Sequence, residues 1–168
     1  MIDFQGRNCL ELQEKIRDAG QWLAEVDGVW QASDDVAVQA IIDGFSVAEL
    51  ASAVCAKIEA LAESKRAAVF SAGNFSAFEA AAWSLKLREA NAYAASGSPD
   101  DAPFLQREAT RGGIMLANLV NRVLANSALL APMEADIAGD ARRHKDAVRA
   151  LATHAEIAAY DYTVGWPL

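Results

Sequence analysis

The chain has 168 residues and a formal net charge of −8, from 23 acidic and 15 basic side chains. This length suits one domain of ordinary size, and the negative charge opposes close approach to the phosphates of nucleic acid. The longest uncharged apolar runs, residues 114–120 and 127–133, are shorter than the ~20 residues that cross a bilayer, so we expect no membrane or nucleic-acid partner.

The first part of the chain predicts two helices separated by a turn. Apolar residues at spacings of three and four favour an amphipathic helix over about Asn8 to Val26. Asp27-Gly28 predicts a turn, and Val29-Trp30 suits a brief extended piece. Ser33, followed by two acids, suits the N-cap of a second helix that Gly44 closes.

Three capping boxes predict further helix starts, because a Ser or Thr and a Glu three residues later satisfy two backbone donors at a helix start. Ser46 to Glu49 predicts a helix to about Phe70. Residues 76–79 predict one to about Ala95, and residues 153–156 predict a short one near the C-terminus.

The second part of the chain predicts a short helix and a long one. The loop-like stretch 96–103 separates an N-terminal part, 1–95, from a C-terminal part, 104–168, and we expect the two to pack as one domain. Pro103 suits the start of a short helix that ends at Gly112-Gly113. From Ile114 one long helix is expected, with a kink or a break at Pro132. The predicted fold class is all-α, an irregular bundle of about five to six helices with a long kinked C-terminal helix.

The residues that carry chemistry indicate no catalytic site. His144 lies in a charged stretch, and Asp146, two residues on, points to a different face of the helix. His154 lies in a capping sequence, and both histidines are expected at the surface. Cys9 and Cys55 are isolated, which favours buried free thiols over a disulfide or a zinc site. The basic cluster, residues 142–149, is typical of a solvated helix face. We therefore expect a protein that is not an enzyme and that has no cofactor and no metal.

Aromatic residues form two groups in the sequence. The first lies around the turn at 73–74, where core packing at helix ends is the ordinary interpretation. The second lies at the C-terminus, where core packing and docking onto a partner are equally open, since Tyr and Trp are enriched at interfaces. The candidate partner-binding residues are Phe75, Phe78, Trp83, Tyr160, Tyr162 and Trp166.

Three segments of the chain carry a family resemblance. Residues 35–45 read DVAVQAIIDGF, residues 78–126 include Phe78-Glu79, Trp83, Tyr93, Pro103-Phe104-Leu105 and Arg111-Gly112, and residues 143–167 include RHKDA, AYDY and GWP. They resemble a recurrent VQAIIDAF-type segment, a helical unit and a short terminal segment of small proteins and C-terminal modules from tail-fibre regions of tailed phages and related prophages. Many of those proteins carry Asp-Pro where this chain has Ser46-Val47, and residues 1–30 match nothing in them.

The resemblance implies a role in the phage tail and carries over no catalytic residue. It favours an assembly chaperone that binds a tail-fibre protein in the cytoplasm of the bacterial host. A structural subunit of the tail or baseplate, which would stay in the virion, is the first alternative. A small acidic inhibitor of a host protein is the second. Each of these partners is a protein, and a homo-oligomer stays open because exposed and buried apolar stripes look alike in a sequence.

Overall fold

The computed structural model describes residues 2–72 and 77–167, and for residues 77–80 it describes the backbone alone. Within these residues the chain forms seven α-helices, one 3₁₀ turn at Pro99–Asp101 and one two-stranded sheet. The elements in order are α1 (Leu10–Asp18), β1 (Leu23–Val26), β2 (Val29–Ala32), α2 (Asp35–Gly44), α3 (Val47–Ala72), α4 (Ala77–Ser96), α5 (Pro103–Gly112), α6 (Leu116–Ala150) and α7 (His154–Ala159). The mainly α-helical fold class is confirmed, and so is a long helix near the C-terminus.

The predicted first helix is wrong beyond Asp18, because the chain turns there into a β-hairpin. Gly20 has a φ of +74°, a left-handed backbone that glycine adopts without strain. β1 and β2 then pair antiparallel. They are joined by Asp27 and Gly28, which both have positive φ, as a two-residue type I′ turn requires. The predicted turn and the extended piece after it are confirmed.

The start of α2 shifts by one residue from the prediction. Asp34, rather than Ser33, is the N-cap, and its carboxylate accepts hydrogen bonds from the N–H groups of Val36 and Ala37 at 2.9 and 3.0 Å. The hydroxyl of Ser33 instead accepts from the N–H of Trp22 at 3.0 Å. Ser33 therefore ties the hairpin together while Asp34 begins the helix.

Two capping sequences begin helices where they were predicted. The Ser46 hydroxyl accepts from the N–H of Glu49 at 3.1 Å at the start of α3. At the start of α7 the Thr153 hydroxyl accepts from the N–H of Glu156, and the Glu156 carboxylate accepts from the N–H of Thr153, which completes a capping box. The capping sequence at Ser76 lies outside the described residues.

The end of α5 and the course of α6 largely follow the prediction. Gly113 closes α5 in the left-handed conformation, with a φ of +63°. α6 begins at Leu116, slightly later than expected, and continues without a break through Pro132 to Ala150. The predicted break at Pro132 is therefore wrong, and the kink stays a prediction.

The chain divides into two compact units, each with its own buried side chains. The first unit comprises Met1–Ala62 and Gly139–Trp166, and the second comprises Glu63–Ala138. The predicted loop at 96–103 lies inside the second unit. Fully buried side chains of the first unit include Leu12, Ile16, Ile42, Leu50, Ile58, Val148 and Ile157. A buried cluster of the second unit contains Ala90, Ala102, Leu105, Ala109, Leu119, Val120 and Val123.

Across the described ranges, no helix taken singly has both the length and the apolar character that a membrane span needs. Two sharply bent pairs, α2 with α3 and α5 with α6, meet the same criteria of length and composition when their helices are joined.

Candidate functional site

The second unit contains an apolar pocket of about 390 Å³, which we call the α4 pocket. Ten residues from three helices line it: Arg66, Val69, Phe70, Trp83, Leu87, Ser127, Leu130, Ala131, Glu134 and Ile137. Most of them are aliphatic or aromatic. An apolar cavity of this size with a few polar groups at its edge is typical of a site that accepts a bulky apolar group.

Helical periodicity explains why the lining residues of each helix lie on one face of that helix. Residues three and four apart lie on the same face of a helix. The α4 contribution, Trp83 and Leu87, has this spacing, and so do Leu130, Glu134 and Ile137 on α6. Ile137 is 1% exposed and Trp83 is partly exposed. The pocket therefore combines buried aliphatic side chains with a reachable indole ring.

The ion pair between Arg66 and Glu134 lies at the polar edge of the pocket. The Arg66 guanidinium donates from Nε to both carboxylate oxygens of Glu134, at 2.9 and 3.0 Å, and from Nη1 to Glu63 at 2.6 Å. Burial acts against the charge of the guanidinium, but the hydrogen bonds to Glu134 and Glu63 outweigh it, so the pKa of Arg66 is raised. The arrangement places a fixed, charge-assisted hydrogen-bonding group beside an apolar cavity.

The structure places the first group of predicted aromatic residues partly in this pocket. Trp83 lines it and also packs against the buried cluster of the second unit. Phe75 lies outside the described residues, and Phe78 lies in α4 with a side chain that is not described. The prediction missed the pocket residues Leu87 and Leu130, whose helical spacing was the available signal.

The second group folds back onto α6 within the first unit. The Tyr160 hydroxyl lies 2.8 Å from Nδ1 of His144, and the Trp166 ring stacks on the His144 ring with centroids 5.4 Å apart. The carbonyl of Val164 lies 3.0 Å from Nε2. A carbonyl only accepts, so in the neutral ring Nε2 donates and Nδ1 accepts from Tyr160. Tyr162 is partly exposed, and its carbonyl accepts from the Trp166 indole N–H at 2.7 Å.

The prediction of a surface position for His144 is therefore wrong. Its side chain is 1% exposed, because residues 160–166 cover it. Tyr160 and Trp166, two of the predicted docking residues, are partly buried in this contact with His144. Neighbouring cations of the same stretch pair with acids, Arg143 with Asp140 at 2.8 Å and Lys145 with Glu59 at 2.6 Å.

The contacts of His154 and of the two cysteines indicate packing roles, not a reactive site. Nε2 of His154 lies 2.9 Å from the carbonyl of Phe45, and the two rings are 5.6 Å apart. Both cysteines are free thiols, as predicted, but only Cys9 is buried and Cys55 is partly exposed. Burial raises the pKa of the Cys9 thiol. Within residues 2–72 and 81–167, whose side chains the structure describes, no group of three or more His, Cys, Asp or Glu side chains could hold a metal ion.

Buried charges of the second unit position α5 rather than forming a reactive cluster. Glu89 is 6% exposed and accepts from the N–H of Leu105 at 3.0 Å, which satisfies a free donor at the start of α5. Lys86 pairs with Glu108 at 2.8 Å and lies over the Phe104 ring. These contacts connect α4 to α5 beside the α4 pocket.

No protein-family model, curated protein or solved structure matches the chain. The observations that bear on function are therefore the chemistry of the pocket and the resemblance to tail-fibre-region proteins.

Proposed function

We propose that this protein is an assembly chaperone for a phage tail fibre and that it binds the fibre protein through the α4 pocket. The pocket is the observation that supports binding, since it is large enough for a bulky apolar side chain of a partner. The tail-fibre setting is supported by the resemblance carried by residues 35–45, 78–126 and 143–167.

The chemistry of the pocket suits an apolar segment that a fibre protein exposes before it assembles. Burying one Leu or Phe side chain there contributes about 1.5 to 3 kcal/mol. Trp83 belongs to the residue type that most often dominates interface energy. Arg66 and Glu134 at the edge would fix the orientation of the bound segment through hydrogen bonds.

This proposal moves the expected binding surface from the C-terminal aromatic residues to the pocket. Tyr160 and Trp166 hold residues 160–166 against His144, so a partner that bound them would first have to displace those internal contacts. Among the described residues, none fills the α4 pocket.

Co-expression with the neighbouring fibre gene tests the proposal. We expect the soluble yield of the fibre protein to rise and a complex to elute as one species with additive mass in light scattering. The Leu130→Gln variant should lose much of this effect, because it removes an apolar wall of the pocket. The adjacent Leu129→Gln variant is the matched control, since Leu129 is 72% exposed and does not line the pocket. Unchanged fibre yield with no complex would contradict the proposal.

Mass spectrometry of purified particles separates a chaperone from a structural subunit. A chaperone leaves once the fibre has assembled, so we expect at most traces of this protein in particles. A fixed stoichiometric amount would contradict the chaperone role and support a subunit of the tail or baseplate.

A further inference from the structure

The hairpin of the first unit has one covered face and one bare face. Side chains alternate between the two faces of a strand, and the register pairs Ala24 with Gln31 and Val26 with Val29. On the covered face the Trp30 ring packs on Phe4, with centroids 5.0 Å apart. The other face, which we call the outer hairpin face, consists of Trp22, Ala24, Val26, Val29, Gln31 and Ser33.

The outer hairpin face is exposed and largely apolar. Trp22 is 53% exposed, Val26 is 44% exposed and Val29 is 51% exposed. Single exposed apolar side chains are common, but several on one side of one small sheet form a contiguous patch, which usually marks an interaction surface. Short two-stranded sheets are also only marginally stable, so a partner that covers this face would stabilise the hairpin.

The charges around this face indicate what covers it. Residues 18–56 contain seven acidic residues and no Lys or Arg. Asp27 lies in the turn of the hairpin and is exposed, whereas Glu25 pairs with Trp30 and so lies on the covered face. Asp34 follows it in the sequence and is exposed as well, whereas Asp18 lies 3.9 Å from the guanidinium of Arg17. A second copy of this chain would bring the same negative border, so self-association through this face is opposed by like charges.

We propose that the outer hairpin face docks a partner protein whose contact surface has an apolar centre bordered by Lys and Arg. The apolar centre would bury Trp22, Val26 and Val29, and the basic border would complement Asp27 in the turn and Asp34 after the hairpin. This surface belongs to the first unit and shares no residue with the α4 pocket. Charge attraction of this kind speeds association and weakens as salt is added.

Synthetic peptides of alternating Val and Lys, and matched peptides of alternating Val and Glu, test the proposal against the full-length ¹⁵N-labelled chain. The Lys peptide should shift the amide signals of residues 22–31, with a dissociation constant that rises several-fold between about 50 and 300 mM salt. The Glu peptide should leave these signals in place. The paired variant Val26→Thr with Val29→Thr keeps β propensity and should weaken binding at least about fivefold. Leu129→Gln, an apolar-to-polar change at an exposed position of the second unit, should bind as the parent does.

Three results would overturn the proposal. If the Lys peptide left the amide signals of residues 22–31 unchanged, the outer hairpin face would not bind such a partner. Equal shifts with the Glu peptide, or a dissociation constant that does not change with salt, would show that charge does not select the partner. Sedimentation that showed dimers of the parent chain and monomers of the Val26→Thr, Val29→Thr variant would assign the face to a second copy of this chain.

Discussion

At the scale of single residues, His144 depends on groups that lie far along the chain. Its two ring nitrogens are satisfied by Tyr160 and by the carbonyl of Val164, and Trp166 stacks on the ring. Tyr160 and Val164 lie 16 and 20 residues further along the chain, whereas the charged residues around His144 indicated a surface position. A buried polar ring with both nitrogens paired contributes to stability mainly because losing a partner is costly.

Tyr160→Phe tests this arrangement. The change removes the hydroxyl and leaves Nδ1 of His144 without its partner, so we expect a loss of about 1 to 3 kcal/mol in the free energy of unfolding. Urea unfolding followed by circular dichroism measures it. Tyr162→Phe is the matched control, because the hydrogen bond described for Tyr162 uses its backbone carbonyl. Equal stability of the Tyr160→Phe variant and the parent would show that the hydroxyl does not matter.

Glu156 gives a pH dependence with a defined sign. Hydrogen bonds from the side chain of Thr153 and from the N–H groups of Ala152 and Thr153 lower the pKa of Glu156 below the ordinary value of 4.5. The folded state therefore favours the ionised carboxylate, and this stabilisation is present above about pH 4.5 and is lost as the pH falls through the lowered pKa. We expect Glu156→Gln to be less stable than the parent at neutral pH, with the difference shrinking in acid. A difference in unfolding free energy that stays constant with pH would contradict this.

At the scale of elements, local chemistry determined some boundaries and tertiary packing determined others. The starts of α3 and α7 were predictable because Ser46 and Thr153 bond to backbone groups only three residues away. The end of α1 was missed because Leu23 and Val26 continue the helical spacing of the residues before them. Gly20 ends the helix with its left-handed backbone, and the Asp27-Gly28 turn then pairs residues 23–26 with residues 29–32 as strands.

The candidate site was predictable only in part for the same reason. Each helix showed its own apolar stripe, and Trp83 stood out as a large aromatic residue. Which stripe packs beside which is a property of the folded unit, so the meeting of Phe70, Trp83 and Leu130 in one pocket could not be read from spacing.

Two glycines give opposite predictions for the same substitution. Gly139 lies inside α6, and a Cβ there would meet nothing within 4 Å, so Gly139→Ala should stabilise the chain by about 1 kcal/mol. Gly165 has a φ of +77°, and its Cβ would lie 3.1 Å from the guanidinium of Arg143, so Gly165→Ala should cost about 1 to 2 kcal/mol. Thermal unfolding of both variants beside the parent measures this. Shifts of the same sign in both variants would contradict the backbone assignment of one of them.

At the scale of the whole molecule, the two proposed binding surfaces lie in different units. The first unit carries a bare apolar hairpin face in a stretch of the chain without Lys or Arg, and the second unit carries the α4 pocket. A net charge of −8 also opposes self-association, which is compatible with the proposed chaperone role.

The affinity for the purified fibre protein tests the central claim most directly. Isothermal titration should give a measurable dissociation constant for the parent, at least a tenfold weaker one for Leu130→Gln, equivalent to about 1.4 kcal/mol, and an unchanged one for Leu129→Gln. Leu130 lines the α4 pocket and Leu129 does not, although the two are neighbours on α6. Equal affinities of all three proteins, or no binding by the parent, would contradict fibre binding through the α4 pocket.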